Sequence, residues 1–258
     1  MFCCLYVIDT QDPSSYTPIT KKGILINYRF HMNRFLRYAV LFLWLALTLA
    51  CARLPEYARP RMVQADELRE TLVTGIPYRP LTPADFSAAS LSKQGAEHAE
   101  RINAHVTTLI RLTADSRYRI TSGDLLGQNY FFGIIEHLAF EAVMLPDRSW
   151  WNPKMPANMR GYVLQHEQIH FALTELAARQ LTSDAHKWAS DVLVIEQTSQ
   201  EVLVELARQI NDKINAAMKA SLKRQAKFDE DTSLFYNPKW QQWWYSSVED
   251  ELKKSERK

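Results

Sequence analysis

Cysteine is nearly absent from this 258-residue chain: Cys3, Cys4 and Cys51 are the three, and none follows position 51. The region after Cys51 therefore has neither a disulfide framework nor a thiolate ligand, and any metal there must be held by His, Asp or Glu. An excess of charge of either sign is also missing. Lys and Arg number 31 against 29 acids, a net +2, and no basic stripe marks a nucleic-acid partner. The lysines and arginines near Lys223–Lys227 and at the C-terminus are interleaved with acids and read as solvated surface. There is no apolar run of membrane-spanning length, no internal repeat and no low-complexity tract. With 47% hydrophobic residues, the composition suits one globular domain with extensions.

The apolar run that is present is short. Tyr38–Ala50 holds 13 uncharged residues behind Arg34 and Arg37. That is the length of a signal-peptide core, and it is short for a span. The run ends in Leu47-Thr48-Leu49-Ala50-Cys51, which resembles a bacterial lipoprotein cleavage box. On that resemblance Cys51 is acylated and becomes the mature N-terminus, the chain is exported, and the membrane is held through an N-terminal lipid. Residues 32–51 are thus expected to be a signal peptide with a lipobox-like end. Residues 1–31 are expected to be an upstream over-extension or a disordered tail, with Met32 as the start. Residues 52–78, polar with prolines, read as a linker, and 79–258 as the functional domain.

Within that domain the stretch from His105 to Gly123 is rich in β-branched and aromatic residues and predicts strands. Asn129–Trp151 predicts one or two more, with Ile134–Met144 also open to a helical reading. Asn152–Arg160 is a loop. Gly161–Leu181 contains no proline, and no glycine beyond Gly161, and reads as a helix. A turn is expected near Thr182–Ser183. A second long helix follows to about Lys227, with apolar residues at Trp188, Val192, Ile195, Val202, Leu206 and Ile210. The tail from Phe228 begins as a loop and ends as an amphipathic helix.

The chemistry lies in Leu164-Gln-His-Glu-Gln-Ile-His-Phe171. At about 100° per residue, His166 and His170 project from one helical face a turn apart, and can share a metal ion. Glu167 stands about 100° round, beside such an ion, where a general base takes a proton from an attacking water. This is the physical content of H-E-x-x-H. The competing reading is two histidines in a core, since Val163, Ile169, Leu173 and Ala177 share their face. Burying two imidazoles and a carboxylate without partners is costly, and a Zn²⁺ ion satisfies all three. A third ligand is then required. Glu175 lies about 140° round from His170 and is excluded on a straight helix. If the next helix folds back at Thr182–Ser183, Glu196 comes opposite the histidines, and two His with one Glu is a zinc-site pattern. Glu196 is the expected ligand, with Asp191, Asp229 and Asp231 as alternatives. Ala139–Trp151 is a candidate edge strand for an extended peptide. Tyr162, His105, His186 and Tyr236 are all open as oxyanion partners. The Trp240, Trp243 and Trp244 cluster is expected in the core.

Three segments resemble a bacterial family described as predicted secreted zinc-dependent proteases. Arg79–Phe86 (RPLTPADF) is similar to its opening element, Leu164–Leu181 to its H-E-x-x-H helix, and Phe228–Thr232 (FDEDT) to a later one. Gln241 and Trp244 fit its tail. Ile169 stands in place of a usual Gly. Leu234 and Phe235 stand in place of a His-Gly pair. The resemblance implies an α+β, zincin-like fold, with a small N-terminal sheet packed on the H-E-x-x-H helix and long helices following. It also implies a zinc-dependent peptidase acting on peptide or protein. The alternatives are a non-catalytic envelope lipoprotein with a structural metal site and a degenerate peptidase that binds without cleaving.

Overall fold

The computed structural model describes residues 75–91, 102–233 and 236–255. The expectations for residues 1–51, most of the linker, and Leu234 and Phe235 lie outside them. The described chain is a mixed α+β arrangement of small antiparallel sheets and three long helices. Among the described residues, no helix is long and apolar enough to cross a membrane.

Eight strands follow in order: β1 (Ile76–Pro77), β2 (Ala104–His105), β3 (Thr108–Leu112), β4 (Arg117–Leu125), β5 (Gln128–His137), β6 (Phe140–Met144), β7 (Trp150–Trp151) and β8 (Leu193–Glu196). The helices are α1 (Arg160–Trp188), α2 (Ser199–Thr232) and α3 (Pro238–Ser255). One sheet runs β1-β6-β3 and a second β4-β5-β8, while β2 and β7 form a ribbon. The β3–β6 register pairs Thr108 with Met144 and Leu112 with Phe140. Phe140–Met144 is therefore a central strand, paired on both sides, and not the free edge expected of it. β1 covers only Val143 and Met144, and the N–H groups of Phe140 and Ala142 are taken instead by Thr182 Oγ1 (2.9 Å) and Glu175 Oε2 (3.1 Å).

Helix α1 is the common wall. Phe171 packs with Leu81, Phe86, Val106, Ala142 and Met144 from the first sheet. Two turns on, Ala178, Leu181 and Ala185 meet Ile135 and Val194 of the second sheet, with Val202 and Leu206 of α2. Ile169, Ala172 and Leu173 pack on Phe228, Trp244, Val248 and Leu252. A helix in contact on so many sides is apolar around much of its girth.

The break expected at Thr182–Ser183 does not occur. Helix α1 continues to Trp188 because nothing in Thr182–Lys187 disrupts the ladder: the Thr182 hydroxyl bonds back to Ala178 O (3.1 Å), and Ala185 is buried. The chain turns instead at Ala189–Asp191 and enters β8, where Leu193-Val194-Ile195 favour an extended backbone. Helix α2 starts afresh at Thr198, whose Oγ1 accepts from Glu201 N (3.2 Å) while the Glu201 carboxylate accepts from Thr198 N (3.0 Å). At its other end α2 extends through Phe228–Thr232, so that segment is helix and not loop.

Strand β5 approaches α2 closely at Gly133. A Cβ built there would lie 2.3 Å from Val202 Cγ1 and 3.0 Å from Leu206 Cδ1, both on buried side chains. Gly133→Ala is expected to destabilise the protein by about 1–3 kcal/mol through overpacking, read as a lower urea midpoint at unchanged slope.

Candidate metal centre

His166 and His170 lie one turn apart on α1, and the chain that meets them is the last turn of α2. Asp229 Oδ1 is 3.0 Å from His166 Nε2 and 2.9 Å from His170 Nε2, and the two Nε2 atoms are 3.1 Å apart. Three donor atoms thus form a near-equilateral triangle. For zinc–ligand distances of about 2.0–2.1 Å in a tetrahedron, donors stand about 3.3 Å from one another. The triangle needs to open by only a few tenths of an ångström to seat an ion. Among the described residues, His166, His170 and Asp229 are the group that could hold a metal.

The third donor is therefore Asp229, one of the alternatives, and Glu196 is not part of the group. Glu196 ends β8 and pairs with Phe131 of β5. The expectation failed because it required a continuous helix from Ser183 through Glu196. Asp191 lies in the turn before β8. Asp231 accepts the Trp244 indole N–H (3.1 Å) and pairs with Lys227.

The surroundings fix each donor. Phe228 lies against both imidazoles, with ring centroids 4.5 Å from His166 and 5.0 Å from His170, and Trp244 backs Phe228 at 5.6 Å. Gln225, one turn before Asp229, places its Oε1 3.2 Å from His170 Nδ1. Its amide donates to Thr174 Oγ1 and Ser221 Oγ, which orients the oxygen toward the ring. A ring with Nδ1–H so held presents Nε2 to an ion, the usual arrangement around metal-bound histidine.

Glu167 is 5% exposed, and its Oε2 accepts from Val106 N–H at 2.8 Å. That clamp comes from the segment joining β2 to β3, and it holds one carboxylate oxygen. His105, the residue before it, is exposed over part of its surface, while desolvation of its ring pushes its pKa below the usual imidazole range against the opposing charge of Glu167. Of the other oxyanion candidates, Tyr162 hydrogen-bonds Thr232 O and Asn237 N and stacks on Tyr236. His186 lies beside His137.

Burial works against a charged His170, yet the adjoining Asp229 carboxylate, with Glu167 and Gln225, raises its pKa to about 9. Burial alone would raise the Asp229 carboxyl, but His170 and His166 outweigh it and hold it well below the ordinary carboxylate range. Asp229 and His170 thus favour one another's charged forms across a buried contact.

The segments behind the family resemblance meet here: Asp229 and Phe228 come from FDEDT. From RPLTPADF, Leu81 N–H donates to Gln168 Oε1 (2.7 Å) and Phe86 is buried. Gln241 donates to Tyr162 O (2.8 Å) and Gln165 Oε1 (2.9 Å) at the start of α1. Comparison with protein-family models, with curated proteins and with solved structures finds no match for the chain.

Asp229→Asn is expected to weaken zinc binding by at least the 10–100-fold seen for lost outer-sphere partners, whereas Glu196→Gln leaves it unchanged. Competition against a chromogenic chelator measures both. A metal entering below pH 9 must displace the His170 proton, so apparent affinity is expected to rise with pH by up to tenfold per unit and level off near 9. Calorimetry in buffers of different ionisation heat counts the released proton.

Proposed function

We propose that the chain is an exported zinc-dependent peptidase of the zincin type, anchored to the membrane through its N-terminal region. The observation that carries this reading is the convergence of His166, His170 and Asp229, with Glu167 beside them and held by one oxygen. His166, His170 and Asp229 would hold the ion through three protein donors, the number found in catalytic rather than structural zinc sites. The group is borderline in softness, with imidazoles and one carboxylate, which suits Zn²⁺.

When bound, zinc supplies a Lewis acid for the scissile carbonyl and lowers the pKa of water. The rest belongs to the protein. His166, His170 and Asp229 would hold the ion. Gln225 holds the His170 ring by Nδ1. Val106 N–H holds Glu167 Oε2, which leaves Oε1 to take the proton of the attacking water and return it to the leaving amine. In this reading His105, whose ring lies within electrostatic reach of Glu167, His170 and Asp229, would donate to the developing oxyanion. The resemblance to the secreted-protease family supports this reading, as does the signal-like run Tyr38–Ala50 ahead of Cys51.

Glu167→Gln is the deciding variant. It is expected to lower cleavage of a denatured-protein or peptide-library substrate by about 10²–10⁴-fold, while zinc content and thermal stability stay at wild-type level. Undiminished cleavage in that variant would remove the peptidase assignment. A protein that holds zinc and cleaves nothing in either form would favour a structural site.

A further inference from the structure

Helix α3 buries one polar side chain among its apolar ones. Gln241, Trp244, Val248 and Leu252 are its buried residues and share one face. Trp240 and Trp243, expected in the core, are instead 50% and 53% exposed. Gln241 is wholly buried, yet only half of its amide is satisfied. Its Nε2 donates to Tyr162 O (2.8 Å) and to Gln165 Oε1 (2.9 Å). Among the described residues, nothing donates to its Oε1. The amide cannot be turned round to mend this, because a backbone carbonyl only accepts and Tyr162 O therefore requires the NH₂ end. Gln165 is oriented as well, since its own Nε2 donates to Gln242 Oε1 (3.2 Å). A buried amide oxygen without a donor is costly, and such an atom in a folded core calls for an explanation.

The complementary deficit lies beside it. Among the described residues, the hydrogen bonds of His166 are all made at Nε2, with Asp229 Oδ1 and His170 Nε2. Its Nδ1 has no partner among them. A metal-bound imidazole gives one nitrogen to the ion and donates the other, as N–H, to a carboxylate, a carbonyl or water. His170 meets that rule within the protein, with Nδ1 on Gln225 Oε1. For His166 the position of the ring decides. A helical side chain leans back over the preceding turn, so the His166 ring lies over the turn of Tyr162, four residues earlier. Gln241 holds the carbonyl of that same turn. Phe228 covers one face of the His166 ring, and Trp244, on the Gln241 face of α3, backs Phe228. Donor and acceptor stand in one corner, and each lacks what the other supplies.

We propose that Gln241 is a positioning residue of the metal centre: its Oε1 accepts the Nδ1–H of His166, across at most one water, and so turns Nε2 of that ring toward the ion. The inference rests on the metal-site reading given above. It gives the two imidazoles matching supports, Gln225 of α2 for His170 and Gln241 of α3 for His166. A helix that contributes no ligand then helps to set the geometry of the centre.

The test reads ring N–H signals by NMR of the full chain carrying nitrogen-15 histidine, with and without zinc. In the zinc-loaded wild type, each of the two ligand rings is expected to show an Nδ1–H protected from solvent exchange. Gln241→Met is expected to remove the His166 signal and keep that of His170, and Gln225→Met to do the reverse. A general loosening of the structure would move both. Zinc affinity, measured by competition with a chromogenic chelator, is expected to fall about 10–100-fold in Gln241→Met. Should that variant not fold, Gln241→Glu keeps an oxygen on the same stem and is expected to shift the His166 signal alone. A His166 signal or a zinc affinity unchanged by substitution at position 241 overturns the proposal and leaves the metal reading standing. A wild type that binds no zinc, but whose His166 Nδ1–H is lost in Gln241→Met, upholds the hydrogen bond and removes the metal reading.

Discussion

A carboxylate buried among aromatic rings is the constraint on which the rest of this structure depends. Asp229 is 5% exposed, beneath Phe228 and the two imidazoles. An ionised carboxylate in such a place is costly unless charge and hydrogen bonds meet it. His166 and His170 supply both, so the C-terminal turn of α2 lies against the histidine face of α1 and in one register. That register sets Gln225 against His170 and leads the chain into α3, whose Trp244 closes the site from behind. A metal ion could be held by the same three residues.

Helix α1 extends the same device to the sheets. Glu167 accepts Val106 N–H, Gln168 accepts Leu81 N–H, and Glu175 accepts Ala142 N–H while also holding Arg179. Each is a helix side chain that satisfies a backbone donor of the β region. Glu175 is buried, with one oxygen on Ala142 N–H and the other on Arg179. The Glu167 oxygen bound to Val106 N–H orients the carboxylate, and in the function proposed above the other would carry the proton.

The site was legible as far as it was local. His166, Glu167 and His170 lie within one turn and a half of one helix, and helical geometry alone places them. Glu196 was unreachable by that reasoning because it assumed one helix where the chain builds a strand. The sequence did hold the correcting signals: the Val192–Ile195 run is β-prone, and Thr198-Ser-Gln-Glu201 is a capping box at the true start of α2. Phe140–Met144 misled for another reason. A strand's pattern does not tell whether one or both edges are paired. The tryptophans of α3 divided between core and surface because only packing against Phe228 and Asp231 selects Trp244 for burial.

Taken alone, the amino-acid sequence determined what periodicity and side-chain chemistry can decide. It placed a long helix over the H-E-x-x-H segment and strands before it, and it excluded any thiolate ligand after Cys51. It put two imidazoles and a carboxylate in reach of one ion. The tertiary structure decided what depends on elements distant along the chain. It brought Asp229 across 59 residues to His170, seated Val106 on Glu167, and turned Trp240 and Trp243 outward. The physical reason is common to all three. Local geometry orients a side chain on its own helix or strand, but which buried charge meets which partner is settled only when whole elements pack and every buried polar group must be satisfied at once.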